Sequence, residues 1–164
     1  LNQYPYHFKM KTKDSIDIAI LGGWYGLMAK LLSDNFTLKP IRNIYSYDFD
    51  PYAGQLGRIL FPSIEFVEQD VKDLKIGEKS FSIVINTSCE HMEQQIIDNS
   101  ISSAPENTLF VLQSNNYTEI QQHINCVEDL DTFVNQYTDS LTNIRYYKKD
   151  MGKYTRFMIL GVKK

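Results

Sequence analysis

The sequence predicts an α/β fold: a doubly wound sheet, mostly parallel, covered by helices on both faces and closed by an antiparallel hairpin. Three observations predict it. Short apolar runs alternate with segments of helical spacing along most of the chain, the pattern that builds a parallel sheet from crossover helices. Two of the runs, residues 16–21 (IDIAIL) and 81–86 (FSIVIN), are nearly continuously apolar, which suits central strands buried on both sides. The last 22 residues then change character, giving two strands joined by Asp150-Met151-Gly152, a hairpin-like turn.

Each element follows in order. The first strand, 16–21, ends in Gly22-Gly23, and 25–36 carries Leu27, Leu31 and Leu32 at helical spacing with no Gly or Pro after Gly26. Residues 43–47 (NIYSY) read as a second strand. Asp50-Pro51 opens a helix running to Leu60, with Asp at the N-cap and Pro at the first helical position. Residues 63–67 form a third strand, and a short polar connection leads to a fourth at 81–86. Residues 92–100 are helical, 108–113 (TLFVLQ) make a fifth strand, and 129–137 (DLDTFVNQY) are again helical by pattern. Residues 144–149 and 155–162 are the closing strands.

With 164 residues the chain is expected to form one domain, 1–164, large enough to need no disulfide or metal staple. Its 43% apolar and 23% charged residues are those of a soluble globular protein. There is no apolar run of the roughly 18 residues a membrane span needs. Two cysteines are too few for a disulfide framework, and a cytoplasmic location is expected. The net charge of −3 argues against coating nucleic acid by charge alone. Residues 142–164 nevertheless hold seven of the seventeen Lys/Arg and one acid. Lys148, Lys149 and Lys153 there either blunt an exposed sheet edge or meet a polyanionic substrate.

A doubly wound sheet binds ligands beyond the carboxyl ends of its strands. After the first strand stands Gly22-Gly23-Trp24-Tyr25-Gly26, where glycines permit a tight turn and a ligand's close approach. After the second stands Asp48, 22 residues beyond Gly26. An acid there can accept hydrogen bonds from both hydroxyls of a ribose, or it can cap the next helix as Asp50 does. After the third, another 22 residues on, stands Asp70, an acceptor for an adenine amino group or a solvated loop acid. Glycine turn, acid and acid at three successive strand ends point together to an adenosine-bearing ligand.

On these residues the chain resembles the class I S-adenosylmethionine-dependent methyltransferases, through ILGGWYG, YSYDFDP, VEQDV, FSIVINTSCEHM and the closing hairpin, over roughly residues 15–163. The resemblance implies a Rossmann-like seven-stranded sheet with the last strand antiparallel. It implies S-adenosylmethionine as cofactor, with contacts from Gly22, Gly23, Trp24, Gly26, Asp48, Phe49, Asp70 and Val71, and from Asn86 to the cofactor's amino-acid end. The chain departs from the family twice: Ile20 stands where an acid usually precedes the first glycine, and Trp24 replaces the second alternating glycine. Trp24 shapes the pocket or packs under the sheet. The stretch after the fourth strand resembles the Ser-x-x-Glu-His of small-molecule methyltransferases; neither Asn/Asp-Pro-Pro-Tyr nor Pro-Cys is present. Glu90 and His91 are the catalytic candidates: His91 as base for the acceptor's proton and Glu90 orienting substrate, or both as ordinary helix-start residues. Asn115, Asn116 and Tyr117 are the substrate candidates.

Cys89-x-His91 and His123-x-x-Cys126 offer zinc-compatible ligand types at generic spacings; no metal is expected, the buried-thiol reading being preferred. The segment Tyr4-Pro5-Tyr6-His7-Phe8 either lids the pocket or packs on the sheet. The expected methyl acceptor is a small molecule or a macromolecule; because so few residues precede the first strand, the expectation is that the acceptor is macromolecular or that a second copy or a partner subunit closes the site. The competing reading is a non-catalytic member acting as a cofactor-binding or interaction subunit. A nicotinamide oxidoreductase fits poorly, since Gly22-x-Trp24-x-x-Leu27 fails the G-x-G-x-x-G pattern.

Overall fold

The computed structural model describes residues 15–164; the aromatic segment 4–8 and its lid reading lie outside them. The elements are β1 (Ile16–Leu21), α1 (Leu27–Asn35), β2 (Ile41–Asp48), α2 (Pro51–Leu60), β3 (Glu65–Glu68), β4 (Ile83–Asn86), α3 (Gln94–Ser103), β5 (Leu109–Asn115), α4 (Leu130–Asn135), β6 (Leu141–Asp150) and β7 (Thr155–Lys163). They form one seven-stranded sheet in the order β3-β2-β1-β4-β5-β7-β6. Strands β1 to β5 pair in parallel, and β7 runs antiparallel to both β5 and β6. Strand order reverses between β1 and β4, and doubly wound sheets bind ligands beyond the carboxyl ends at such a reversal.

The continuous apolar character of β1 has a direct structural cause. Successive side chains of a strand point to opposite faces, so Ile16, Ile18 and Ile20 enter one core with Ala29, Ile44, Phe66 and Ile85, while Ala19 and Leu21 enter the other with Tyr47, Val84, Phe110 and Ile97. Helices α1 and α2 cover the first face, and α3 and α4 the second. A strand covered on both sides has no solvent face on which to alternate polar residues.

Helix α2 begins as its sequence dictates. Asp50 Oδ1 accepts the Tyr52 N–H at 2.9 Å, and Pro51 occupies the first helical position. Helix α1 starts two residues later than its apolar spacing suggests, at Leu27. Trp24 at φ 48° and Gly26 at φ 84° are left-handed, so neither can open a right-handed helix. Helix α3 likewise starts at Gln94 rather than 92, because Met92 and Glu93 are extended after a 3₁₀ turn at Cys89–His91. Strand β5 runs on to Asn115 because β7 keeps pairing with it as far as Arg156.

Strand β6 is an outer edge of the sheet and is mostly exposed, with Lys148 and Lys149 on it. Charge on an edge strand discourages pairing with another chain. Among the described residues no helix is long and apolar enough to cross a membrane.

Candidate functional site

The carboxyl ends of β1, β2 and β4 come level with one another: Leu21 registers with Tyr47 on one side and with Asn86 on the other. The glycine turn leaving β1 is tied to the end of β2. The Gly23 N–H donates to the Tyr47 carbonyl at 2.9 Å, and the Trp24 N–H donates to Asp48 Oδ2 at 2.8 Å. Asp48 Oδ1 accepts from the Asp50 N–H at 3.0 Å. The carboxylate therefore locks the turn and the start of α2 together. Each of its oxygens keeps a second lone pair for a further donor.

The glycines have separate reasons. Gly22 is left-handed, and a Cβ there would come 3.0 Å from Met92 Cε. Gly23 sits over Ser46, whose buried Oγ would lie 2.0 Å from an added Cβ. Gly26 packs on Phe66: an added Cβ would meet Phe66 Cζ at 2.5 Å. The glycine at 26 thus serves the core beneath the turn.

Trp24 does not pack under the sheet. Its side chain is 60% exposed, and Phe49, the residue after Asp48, is 74% exposed. Ile20 is 1% exposed and belongs to the core beneath the turn. Asp70 accepts from the Lys72 N–H at 3.0 Å and lies 2.9 Å from Lys72 Nζ. Those bonds to Lys72 hold the Asp70 carboxyl below the usual carboxylate range. Val71 is buried on the α3 side of the sheet.

Two asparagines at strand ends, Asn86 on β4 and Asn115 on β5, turn their side chains into local hydrogen bonds. Asn86 is 1% exposed and turned inward. Its Oδ1 accepts the Ser88 N–H at 2.9 Å, and its Nδ2 donates to Met92 Sδ at 3.2 Å. An Asn side chain that binds the N–H two residues on is making a local turn; Asn86 shapes the loop. Asn115, at the end of β5, is likewise buried at 2% exposure. It accepts the Tyr117 N–H at 2.8 Å and donates to Glu90 Oε1 at 2.7 Å. It positions Glu90 and does not line the surface.

Glu90 is 3% exposed. Besides Asn115, its Oε1 faces Arg156 Nη2 at 3.3 Å, and that guanidinium also donates to the Thr87 carbonyl at 2.7 Å and to Gln113 Oε1 at 3.2 Å. Arg156 lies 66 residues away in sequence, and no spacing signal announces it. Glu90 Oε2 is buried and has no hydrogen-bond partner among the described residues.

His91 is exposed beside this buried acid. Its ring meets His123 edge to face, with centroids 4.6 Å apart. The two cysteines separate from this pair. Cys89 is buried, and burial pushes its thiol up; Cys126 donates to the Tyr117 carbonyl at 3.4 Å. Asn116 is exposed, and its Oδ1 accepts the Thr155 N–H at 2.7 Å. Tyr117 stacks on Tyr154 at 5.1 Å. A cavity of about 230 Å³ lined by Ser33, Lys39 and Arg42 lies at the opposite end of the sheet, where β2 begins, away from the strand ends just described.

No family model matches the sequence, and no curated protein matches it. Solved structures do. The N-methyltransferase NodS from Bradyrhizobium japonicum WM9 superposes with a TM-score of 0.70 at 13% identity, over 90% of this chain and 85% of that one. The plantazolicin methyltransferase BpumL, in complex with a pentazolic desmethylPZN analog and SAH, gives 0.68 at 11% identity, over 91% and 77%. A chain from the complex of the Haloferax volcanii Trm112 methyltransferase activator with a methyltransferase-like protein gives 0.72 at 15% identity, over 94% and 85%. The fold of this chain is that of the class I S-adenosylmethionine-dependent methyltransferases.

Proposed function

We propose that this chain binds S-adenosylmethionine and transfers its methyl group to an acceptor. The observation that carries the reading is the Asp48 carboxylate, which ends β2 and holds the glycine turn through the N–H of the exposed Trp24, with the exposed Phe49 next in the chain. A nucleoside laid there meets a ribose acceptor and covers apolar surface that is otherwise wet. In this reading Gly22, Gly23, Trp24 and Gly26 form the turn, Asp48 takes the ribose hydroxyls and Phe49 covers the nucleoside. Asp70 accepts from the adenine amino group beside Val71, and Asn86 fixes the loop near the amino-acid end.

The bound cofactor supplies an electrophilic sulfonium methyl. The chain must align the acceptor, exclude water and take a proton where the acceptor carries one. His91 suits the last task. Its Nδ1 lies 3.2 Å from the Gln122 carbonyl; a carbonyl only accepts, so Nδ1 carries the proton and Nε2 keeps a lone pair. Glu90 and Asn115 position the loop that carries His91, while Asn116 and Tyr117 border the acceptor side.

A partner subunit or a second copy closing the site accords with the exposed Trp24, Leu27 and Leu31, and a structural neighbour occurs with an activator protein. One observation favours a non-catalytic reading instead: the buried Ile20 offers no carboxylate for the cofactor's ammonium group. Calorimetric titration with S-adenosylhomocysteine separates these readings from failure of the site. Wild type is expected to bind one equivalent, and Asp48→Ala to lose at least about ten-fold in affinity while staying folded, since a hydrogen bond to a charged group is worth about 1.5–3 kcal/mol. Unchanged affinity in the variant overturns the ribose assignment. Binding without methyl transfer to any of a broad acceptor panel favours the non-catalytic subunit.

A further inference from the structure

We infer that Glu90, His91 and His123 form a binding site for a first-row divalent transition-metal ion such as Zn²⁺. One ligand atom from each of the three lies within 4.8 Å of the others. Tetrahedral zinc with nitrogen and oxygen ligands at about 2.0–2.2 Å sets those atoms roughly 3.3–3.5 Å apart, so small side-chain rotations close the set around an ion. His91 is exposed and His123 partly so.

The surroundings are those of a ligand set. Each imidazole has its Nδ1 against a backbone carbonyl: His91 on Gln122 at 3.2 Å and His123 on Tyr117 at 2.6 Å. These bonds fix both rings as the Nδ1–H tautomer and leave both Nε2 lone pairs uncommitted, the second-shell arrangement that orients metal-binding histidines. Glu90 supplies the independent observation. Its side chain is 4% exposed, and its Oε2 has no hydrogen-bond partner among the described residues. An unpartnered oxygen on a buried carboxylate is costly. Oε1 is held by Asn115 and Arg156; the guanidinium offsets part of the charge and lowers affinity without occupying the other oxygen.

The donor chemistry selects the ion. Two imidazoles and one carboxylate suit zinc and its first-row neighbours, whereas magnesium and calcium require oxygen-rich sets. Three protein ligands leave one position open, the arrangement of catalytic rather than structural zinc. An ion there takes up the Nε2 lone pair that serves as the acceptor's base when the site is empty. Its charge, in place of a free imidazole, would favour deprotonation of an acceptor oxygen. The cysteines flanking the histidines in sequence take no part in this set.

The test uses the full chain without an affinity tag. Calorimetric titration with Zn²⁺ is expected to show one ion per chain, and Co²⁺ to give the visible absorption bands of a low-coordinate site. His91→Ala and His123→Ala are each expected to weaken Zn²⁺ binding by more than about ten-fold, while Cys126→Ser and His7→Ala leave it unchanged. Both histidines reach the surface, so these variants stay folded, which thermal unfolding verifies. Absence of a one-to-one Zn²⁺ complex, binding that survives the double histidine variant, or binding lost in Cys126→Ser overturns the site. No cofactor or acceptor enters this titration, so its failure leaves the methyl-transfer reading standing, and the reverse holds too.

Discussion

Arg156 Nη2 lies 3.3 Å from Glu90 Oε1 and 2.7 Å from the Thr87 carbonyl, so a residue of the closing hairpin pins the loop that follows the fourth strand. The antiparallel β7 is what makes this possible. It sets Arg156 opposite Asn115 on β5, and Asn115 grips the same carboxylate oxygen at 2.7 Å. One buried acid is thus held from two strands, and the loop carrying His91 is anchored to the sheet.

Glu90→Ala is expected to destabilise the protein by about 2–4 kcal/mol, below the full cost of breaking a buried pair because Arg156 is partly exposed. That corresponds to a fall in Tm of roughly 5–15 °C. Glu90→Gln retains an acceptor for Asn115 and is expected to lose less. Thermal unfolding of both variants checks this, and an unchanged Tm in Glu90→Ala contradicts the anchoring role.

Gly57→Ala is expected to destabilise, although alanine is favoured over glycine in a helix interior by about 1 kcal/mol. A Cβ at 57 would lie 2.3 Å from Phe66 Cε1, and overpacking of this kind costs about 1–3 kcal/mol. A double-mutant cycle with Phe66→Leu, read by denaturant unfolding, should return a coupling of about 1 kcal/mol or more as the shorter side chain yields space. Stabilisation by Gly57→Ala would contradict the packing under the turn.

The buried phenols predict an alkaline limit. Burial, aided by Tyr45, raises the Tyr47 hydroxyl to about 12, and burial raises that of Tyr137 as well. Between pH 10 and about 12 the unfolded chain ionises Tyr47 before the folded one does. The stability it contributes is complete below pH 10 and is lost as pH rises through the folded value. Tyr47→Phe should flatten the fall of stability with pH across that window, measured by urea unfolding, and an unchanged slope would contradict the assignment.

The fold was legible because its signals are local. A run such as IDIAIL has no solvent face, and Asp50-Pro51 is a helix start in any context. The glycine turn and Asp48 were legible as a pair because strand and helix lengths bring successive strand ends level. Side-chain direction was harder to read. Asn86 and Asn115 are polar residues at strand ends, as ligand contacts are, yet each folds back on the amide two residues on, a use of Asn that a sequence equally permits. The reason for glycine at 26 is Phe66, 40 residues away, and the partner of Glu90 is Arg156; such contacts leave no periodic trace. The Cys-x-His and His-x-x-Cys pairs were visible in sequence. The 3₁₀ turn at Cys89–His91 buries Cys89 and leaves His91 to meet His123.

Cofactor binding is tested most directly by thermal unfolding with and without saturating S-adenosylmethionine, S-adenosylhomocysteine and NADH. Ligand at a hundred times its dissociation constant adds about 2.7 kcal/mol, a rise in Tm of roughly 5–10 °C for a domain of this size. Such a rise with the two sulfur nucleosides, its absence with NADH, and its loss in Asp48→Ala are the expected results. No rise with either sulfur nucleoside, or a rise with NADH alone, would contradict the proposed cofactor and with it the methyltransferase function.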